Sequence, residues 1–471
     1  MRSITFLLAL LLVSAPAISQ QKNAALHQLF EQEWQRGLSD YPENASYNGD
    51  TRYNDRWTDM SLAAIGAREA ADRAALAKLQ GIGRAALSPA DQLNYDTFEW
   101  QLTRNIERQR YREYLMPMTH QGGVQTADGI AELLDFRTEK AYSDWLARLD
   151  KLPALIDQNI VLLREGVKTG RTPPKAIMQR VPNQIKAQVV KDPESSAFYA
   201  PFKKLPDSIP AQRQAELRAQ ARRIIAERVV PAYARLGTYF NSEYLPATRD
   251  ATAATSLPDL AGYYTTTGLS AEDIHDIGLK EVARIRAKME TVKNEAGFKG
   301  TLPEFFSFLR SDPQFFYKTP EALLEGYQAL SKRIDPELVK VFKVLPRMTY
   351  GVRAIPDNIA PDTTTAYYQP GATDGSRAGF YYVNLYKPEV RPNWEMLALS
   401  LHEAVPGHHF QFARGMELPD MPMFRRTAYF VAYGEGWGLY AEQLGYDMDL
   451  YKNPYDKFGQ LTYEMWRAVR L

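Results

Sequence analysis

The 471-residue chain has no cysteine. That absence removes disulfides, thiolate metal ligands and cysteine nucleophiles together, so any metal must be held by His, Asp and Glu. Histidine is itself scarce, with six in the whole chain. An excess of one charge sign is also missing, since 57 Lys and Arg stand against 56 Asp and Glu. Without a basic surplus the chain lacks the electrostatic footprint of a nucleic-acid binder, and peptide-like partners suit it better. Long apolar runs are confined to residues 4–13, within MRSITFLLALLLVSAPAISQ. Preceded by Arg2 and followed by small residues ending in Ala17-Ile18-Ser19, this run is too short to span a bilayer. It reads as a secretory signal peptide over residues 1–19, cleaved after Ser19. No cysteine follows it to carry a lipid, and no second stretch reaches spanning length. The expectation is an exported protein, periplasmic or extracellular, with no stable membrane insertion.

What is present reads mostly as helix. Apolar residues at helical spacing mark 62–79, 129–168, 211–241 and 270–296, and Ser88-Pro89-Ala90-Asp91 has the form of a cap and first turn. The last of these opens with a capping-box pattern, Ser270 followed by Asp273. In the segment 209–241, Arg213, Arg218, Arg222, Arg223 and Arg228 are interspersed with Glu216 and Glu227, the mark of a solvated helix face. Proline-rich connectors lie near 172–174, 201–210 and 353–371, and no fixed-period repeat is found, which disfavours a solenoid. One stretch breaks the texture: residues 379–386, GFYYVNLY, are aromatic and β-branched and are closed by Pro388. A core strand is the simpler account of it; an edge strand pairing with an extended peptide is the functional one. The predicted architecture is mainly α, one large two-lobed helical domain over residues 20–471 with a small β-element before the helix that carries the chemistry.

That chemistry centres on LHEAVPGHHF, residues 401–410, which holds His402, His408 and His409. Random placement of six histidines puts only about 0.1 in a window of eight. His402-Glu403 is the arrangement of zinc hydrolases in which an imidazole binds the metal and the adjacent carboxylate faces the water to be activated. In an unbroken helix the second ligand stands four residues on, where this chain has Pro406 and Gly407. Proline removes a backbone donor and presses on the carbonyl four residues back, so the helix beginning near Trp394 must bulge or break. A two-residue expansion brings His408 to the face of His402. His409 returns to that face too, but about 10 Å along the axis at 1.5 Å per residue, so His408 ranks first and His409 stays its competitor.

A third ligand is sought in residues 424–446, where AYGEGWGLYAEQL sets Glu435 and Glu442 in a hydrophobic band. Gly434 and Gly436 flank Glu435, each costing a helix roughly 1 kcal/mol relative to alanine, which makes sense beside a buried carboxylate that another helix or a metal approaches. Glu442 is either a carboxylate behind a ligand histidine or a surface residue. No spacing argument selects an oxyanion partner among Tyr429, Tyr433 and Tyr440, and His120 reads as a loop histidine.

LHEAVPGHHFQ and YGEGWGLYAE resemble the signature pair of the bacterial domain of unknown function 885 family, placed in the wider clan of gluzincin-type zinc metallopeptidases. TGLSAEDIHDIGLKEVARIRAKM (267–289), LPRMTYGVRAIP (345–356), AYYQPGATDGSRAGFYYVNLY (366–386) and EMWRAVRL (464–471) resemble it in the same order. The resemblance implies a gluzincin-like fold, Zn2+ held by His402, His408 and Glu435, and Glu403 as the catalytic carboxylate. It also implies that substrate backbone is held by an edge strand around Tyr382 and Asn384. Members of the family continue past the position of Leu471, so the C-terminus is expected to be shortened. The resulting expectation is a secreted zinc peptidase; its alternative is a peptide-binding protein, or a fragment, that keeps the metal site without cleaving.

Overall fold

Hydroxyl and amide side chains set many of the helix starts by accepting N–H groups that the first turn leaves free. In the computed structural model, which describes residues 22–252 and 260–471, Asn23 caps α1 (Ala24–Asp40), Ser61 caps α2 (Leu62–Gln80) and Ser88 caps α3 (Pro89–Gln109). The signal peptide read on residues 1–19 lies outside the described residues. Thr138 caps α4 (Glu139–Lys168), which begins later than the predicted 129 because Val124–Leu133 winds as 3-10 turns and Leu134 is extended. The predicted helix from 211 is real but widened. α5 (Ala211–Ile224) passes through a π-turn at Ile225–Val229 into α6 (Val230–Tyr239), and a second π-turn follows at Phe240–Tyr244. α4, α5 and α6 bury Trp145, Tyr233 and Phe240 with Phe198 and Phe202 in one large apolar cluster.

α7 (Ala271–Glu295) carries the predicted capping box, both of whose backbone bonds are 3.0 Å: Asp273 N–H to Ser270 Oγ and Ser270 N–H to an Asp273 carboxylate oxygen. α8 (Pro320–Ile334) leads into a three-stranded sheet of β1 (Tyr350–Ala354), β2 (Ala366–Gln369) and β3 (Gly379–Val383). The order is β1-β3-β2, with β1 parallel to β3 (Tyr350 opposite Gly379) and β2 antiparallel to it (Ala366 opposite Val383). This corrects the edge-strand reading of Tyr382 and Asn384. β3 is the central strand, its backbone groups committed to neighbours on both sides, so it has no free edge to offer a peptide. The strand also stops short of 386: the Asn384 side chain accepts the Tyr386 N–H at 3.0 Å, a local turn that ends the ladder.

The chain closes with α9 (Met396–Glu403), α10 (His408–Glu417), α11 (Val431–Asp447) and α12 (Pro454–Ala468). Every residue of α9 is buried, and the helix packs against α8, α11, α12 and β2. That is why residues 396–401, MLALSL, carry no polar face. Gly459 lets α12 come close, since a Cβ there would stand 2.0 Å from the Trp394 carbonyl oxygen. The fold is thus mainly α with a small sheet, and among the described residues no helix is long and apolar enough to cross a membrane.

Candidate metal centre

α9 ends at Glu403, and Ala404, at φ −100° and ψ −105°, leaves the helical path ahead of Pro406. Gly407 makes the return possible: a Cβ on it would lie 1.8 Å from the His402 carbonyl oxygen and 2.4 Å from that of Leu401, so no other residue fits here. The break is pinned from α11, where the Trp437 indole N–H donates to the Pro406 carbonyl at 2.8 Å. α10 then starts at His408. The interruption expected from Pro406-Gly407 brings the His402 and His408 rings to 4.7 Å between centroids, nearly perpendicular at 84°.

Among the described residues one trio can offer ligand atoms to a metal: His402, His408 and Glu435, all three atoms within 4.8 Å of one another. His402 Nε2 is 3.5 Å from one Glu435 carboxylate oxygen, and His408 Nε2 is 3.8 Å from the other. Both imidazoles are buried. Glu435 is not, and its side chain is 48% exposed, against the buried carboxylate read from its apolar neighbours. The trio therefore has one open side. Tyr429, from the segment between α10 and α11, donates its hydroxyl to Glu435 at 2.6 Å.

Behind the trio, Glu442 is 1% exposed and takes the position of the carboxylate behind His402, 2.9 Å from Nδ1. Arg467 approaches both groups, 3.0 Å from Glu442 and 3.2 Å from the same Nδ1. Nδ1 cannot both donate to Glu442 and accept from Arg467. The carboxylate is the stronger acceptor, so Nδ1–H donates to Glu442, Arg467 pairs with Glu442, and Nε2 is the ring nitrogen that faces Glu435. His408 lacks such a partner, its Nδ1 being buried without a protein acceptor.

Glycine spacing explains how the helices come this close. A Cβ at Gly438 would fall 2.4 Å from His402 Cε1, and one at Gly434 would fall 2.3 Å from the Tyr429 ring, whereas Gly436 faces open space. The sequence argument thus singled out one needed glycine, Gly434, and one that the packing does not require. It passed over Gly438, the residue that makes room for the His402 imidazole.

Charges follow from the same packing. Burial opposes a proton on His402, but the Glu435 and Glu442 carboxylates outweigh it, helped by Glu403, and raise the pKa to about 9. Burial and the His402 charge hold His408 down to about 4. Glu435 is lowered to about 2, chiefly by its bond to His402. Glu403 is buried next to His402. Desolvation lifts it to about 7 with the Glu435 charge adding, while His402, Arg467 and the Tyr368 backbone N–H of β2 pull the other way.

His409 is committed elsewhere. It is 1% exposed; its Nε2–H donates to the Met348 carbonyl at 3.0 Å, and its Nδ1 accepts the Tyr368 hydroxyl at 2.9 Å. Tyr382 donates to Glu132 at 2.8 Å and stacks on Tyr367 with centroids 4.9 Å apart. The Asn384 amide gives both hydrogens to backbone, Ala360 at 2.7 Å and Thr364 at 3.0 Å. Neither side chain hydrogen-bonds to the His402–Glu435 group. Arg467 and Tyr368 were overlooked as site neighbours, although both lie in stretches with family character, EMWRAVRL and AYYQPGATDG.

A family model described as bacterial protein of unknown function (DUF885) matches residues 42–471. The chain belongs to this DUF885 family. The match holds every residue of the candidate centre, from β2 to Arg467. A comparison of this DUF885 chain with curated proteins returns no match. Among solved structures it is similar to "the putative lipoprotein from Colwellia psychrerythraea", with a TM-score of 0.85 and 24% identity over 94% of this chain and 82% of that one. At that identity the likeness speaks to the fold, which the two share.

Proposed function

We propose that this DUF885 protein is an exported zinc-dependent peptidase that hydrolyses peptide bonds with Glu403 as general base. One observation carries the reading: His402, His408 and Glu435 converge from both sides of a helix break and from a second helix, with Glu403 buried beside them. The trio fits the metal. Ligand atoms about 2.0–2.2 Å from a tetrahedral Zn2+ stand roughly 3.3–3.6 Å apart; the two nitrogen–oxygen separations, 3.5 and 3.8 Å to the two Glu435 oxygens, are near that, and the three ligand atoms, within 4.8 Å of one another, need to draw together to meet it. Two imidazoles, one carboxylate and an open side make up the donor set of a catalytic rather than a structural zinc site.

When bound there, Zn2+ supplies a Lewis acid that polarises the scissile carbonyl and eases deprotonation of water. The chain's own residues do the rest. Glu442 holds the Nδ1 proton of His402 and so fixes Nε2 as the ligand nitrogen, while Arg467 balances the Glu442 charge. A Glu403 carboxylate oxygen takes the proton from the attacking water and returns it to the leaving amine. If substrate backbone is held by the sheet, the role passes from β3 to β2, an outer strand whose Tyr368 backbone N–H reaches Glu403. Kinship with the gluzincin clan rests on the two motifs, export on the leader-like residues 1–19, and a peptide substrate on the reaction class together with the neutral charge balance.

The test combines metal analysis with cleavage of a mixed dipeptide and oligopeptide library, with and without a chelator. We expect about one zinc per chain and chelator-sensitive cleavage. Glu403→Gln should keep its zinc and lose cleavage, whereas Glu435→Gln should weaken zinc binding. Failure to take up zinc on titration, or equal metal loss in both variants, would refute these roles; zinc binding without turnover of any peptide would leave a binding protein instead.

A further inference from the structure

Tyr429 has a second neighbour besides Glu435. Its ring stacks on Phe412 with centroids 5.7 Å apart and planes 13° from parallel, and behind this pair opens a pocket of about 530 Å³. α1 supplies Trp34 and Gly37 to its wall, α3 supplies Trp100 and Gln101, and Phe430 meets Trp100 edge-on at 5.0 Å. One tyrosine side chain therefore separates this aromatic pocket from a candidate metal ligand. The Tyr429 ring is itself seated against Gly434, where a Cβ would collide with it, so the partition is built into the packing.

The charges of the wall are already held in ion pairs. Arg36 lies 2.7 Å from both Glu33 and Asp72 and 3.2 Å from Asp40, and Arg104 lies 2.6 Å from Glu107, which stands outside the wall. A charged side chain entering would lose hydration and find the wall's charges already engaged with one another or with neighbours, whereas a flat apolar one would meet rings of its own kind. Asn44 and Asn105, exposed at the edge, are placed to bond a backbone. We infer that this pocket is a side-chain subsite selecting a bulky uncharged residue of the substrate, aromatic or large aliphatic, next to the bond that is cut. The inference rests on the peptidase reading above and names its substrate class.

Gly37 provides the decisive variant. It lines the pocket, a Cβ built on it meets no atom within 4 Å, and its φ needs no glycine, so Gly37→Trp can fill the space from α1 without displacing the fold. The probes are alanine hexapeptides carrying one Phe, Leu, Asp or Lys at successive positions. Binding is measured by calorimetry on Glu403→Gln, and cleavage by mass spectrometry on the wild type. The best Phe peptide should bind about 10- to 100-fold more tightly than the all-alanine peptide and than its Asp and Lys counterparts. Gly37→Trp in the same background should bring the Phe-to-alanine ratio to about one. If Gly37→Trp does not fold, Gly37→Leu carries the same test.

A Phe peptide that binds no better than alanine, or a preference that survives Gly37→Trp in a folded protein, would overturn the subsite. Cleavage without preference at any position would do the same and leave the peptidase reading intact. A Gly37-sensitive preference with no cleavage of any peptide would support the pocket and remove the peptidase.

Discussion

The cluster around α4, α5 and α6 and the ground around α9, α10 and α11 are both buried, yet they are made differently. In the first, large rings fill space: Trp145 and Phe198 stack at 6.2 Å, and Tyr233 meets Phe198 at 6.0 Å. Its one deeply buried charge, Arg148, bonds neutral oxygens of Ser46 and Tyr53, and burial lowers its pKa to about 10. In the second, Gly407, Gly434 and Gly438 stand where any side chain would collide, and His402, Glu403, His408 and Glu435 have pKa values moved by one another. Bulk secures the first region, and omission of bulk permits the second. A fold can thus draw its stability from one place and keep its chemistry in another.

The difference can be pressed hardest at Trp145. Trp145→Ala should destabilise the protein by about 3–5 kcal/mol in a denaturant titration, while, under the zinc proposal, the folded fraction takes up zinc as the unaltered protein does. Gly438→Ala should do the reverse. The new methyl meets three ring atoms of His402 at 2.4–2.7 Å, so zinc affinity should fall by about 100-fold or more. The melting temperature should move little, because a helix gains roughly 1 kcal/mol from replacing glycine. Equal losses of stability in the two variants would erase the contrast. Glu442→Gln keeps the size but weakens the acceptor of the His402 Nδ1 proton, and zinc affinity should drop about 10- to 100-fold by competition against a chelator. The smallest effect is one of pH. Glu395, at the foot of α9, is raised to about 7 by burial, with Arg310 and Arg391 offsetting only part of it. A carboxyl whose folded pKa is raised binds its proton more tightly folded than unfolded, so its charge destabilises the fold above pH 7, and that penalty fades as pH falls toward the unfolded value near 4.5. Glu395→Gln should therefore raise stability by about 1–3 kcal/mol at pH 8 and by much less at pH 5, read from paired thermal melts.

Much of the candidate centre was legible because proline and glycine speak locally. Pro406 and Gly407 cannot continue a helix, and that fact, together with the rise along the axis that sets His409 apart, ranked His408 over His409. Ser88 and Ser270 marked helix starts for an equally local reason, a hydroxyl accepting an N–H three residues on. What failed to show was what depends on a distant partner. The apolar neighbours of Glu435 along α11 suggested burial, but the open side is set by what lies across from it. Residues 379–383 carry every mark of a strand, and nothing in them tells a centre from an edge; that is decided by β1 and β2, arriving from elsewhere in the chain. Gly438 looks like any helical glycine until the His402 ring is placed against it.

The bond from Trp437 to the Pro406 carbonyl has a consequence for how this part of the chain tolerates change in length. It joins α11 to the break between α9 and α10 directly, two residues from Glu435, so the spacing of the three candidate ligands is fixed by a side-chain brace across the helices. The covalent path between them, by way of residues 418–422, is largely exposed and is relieved of that duty. Additions or deletions confined to 418–422 alter the length of a strap whose two ends are already fastened, and should leave the same three atoms at the same separations.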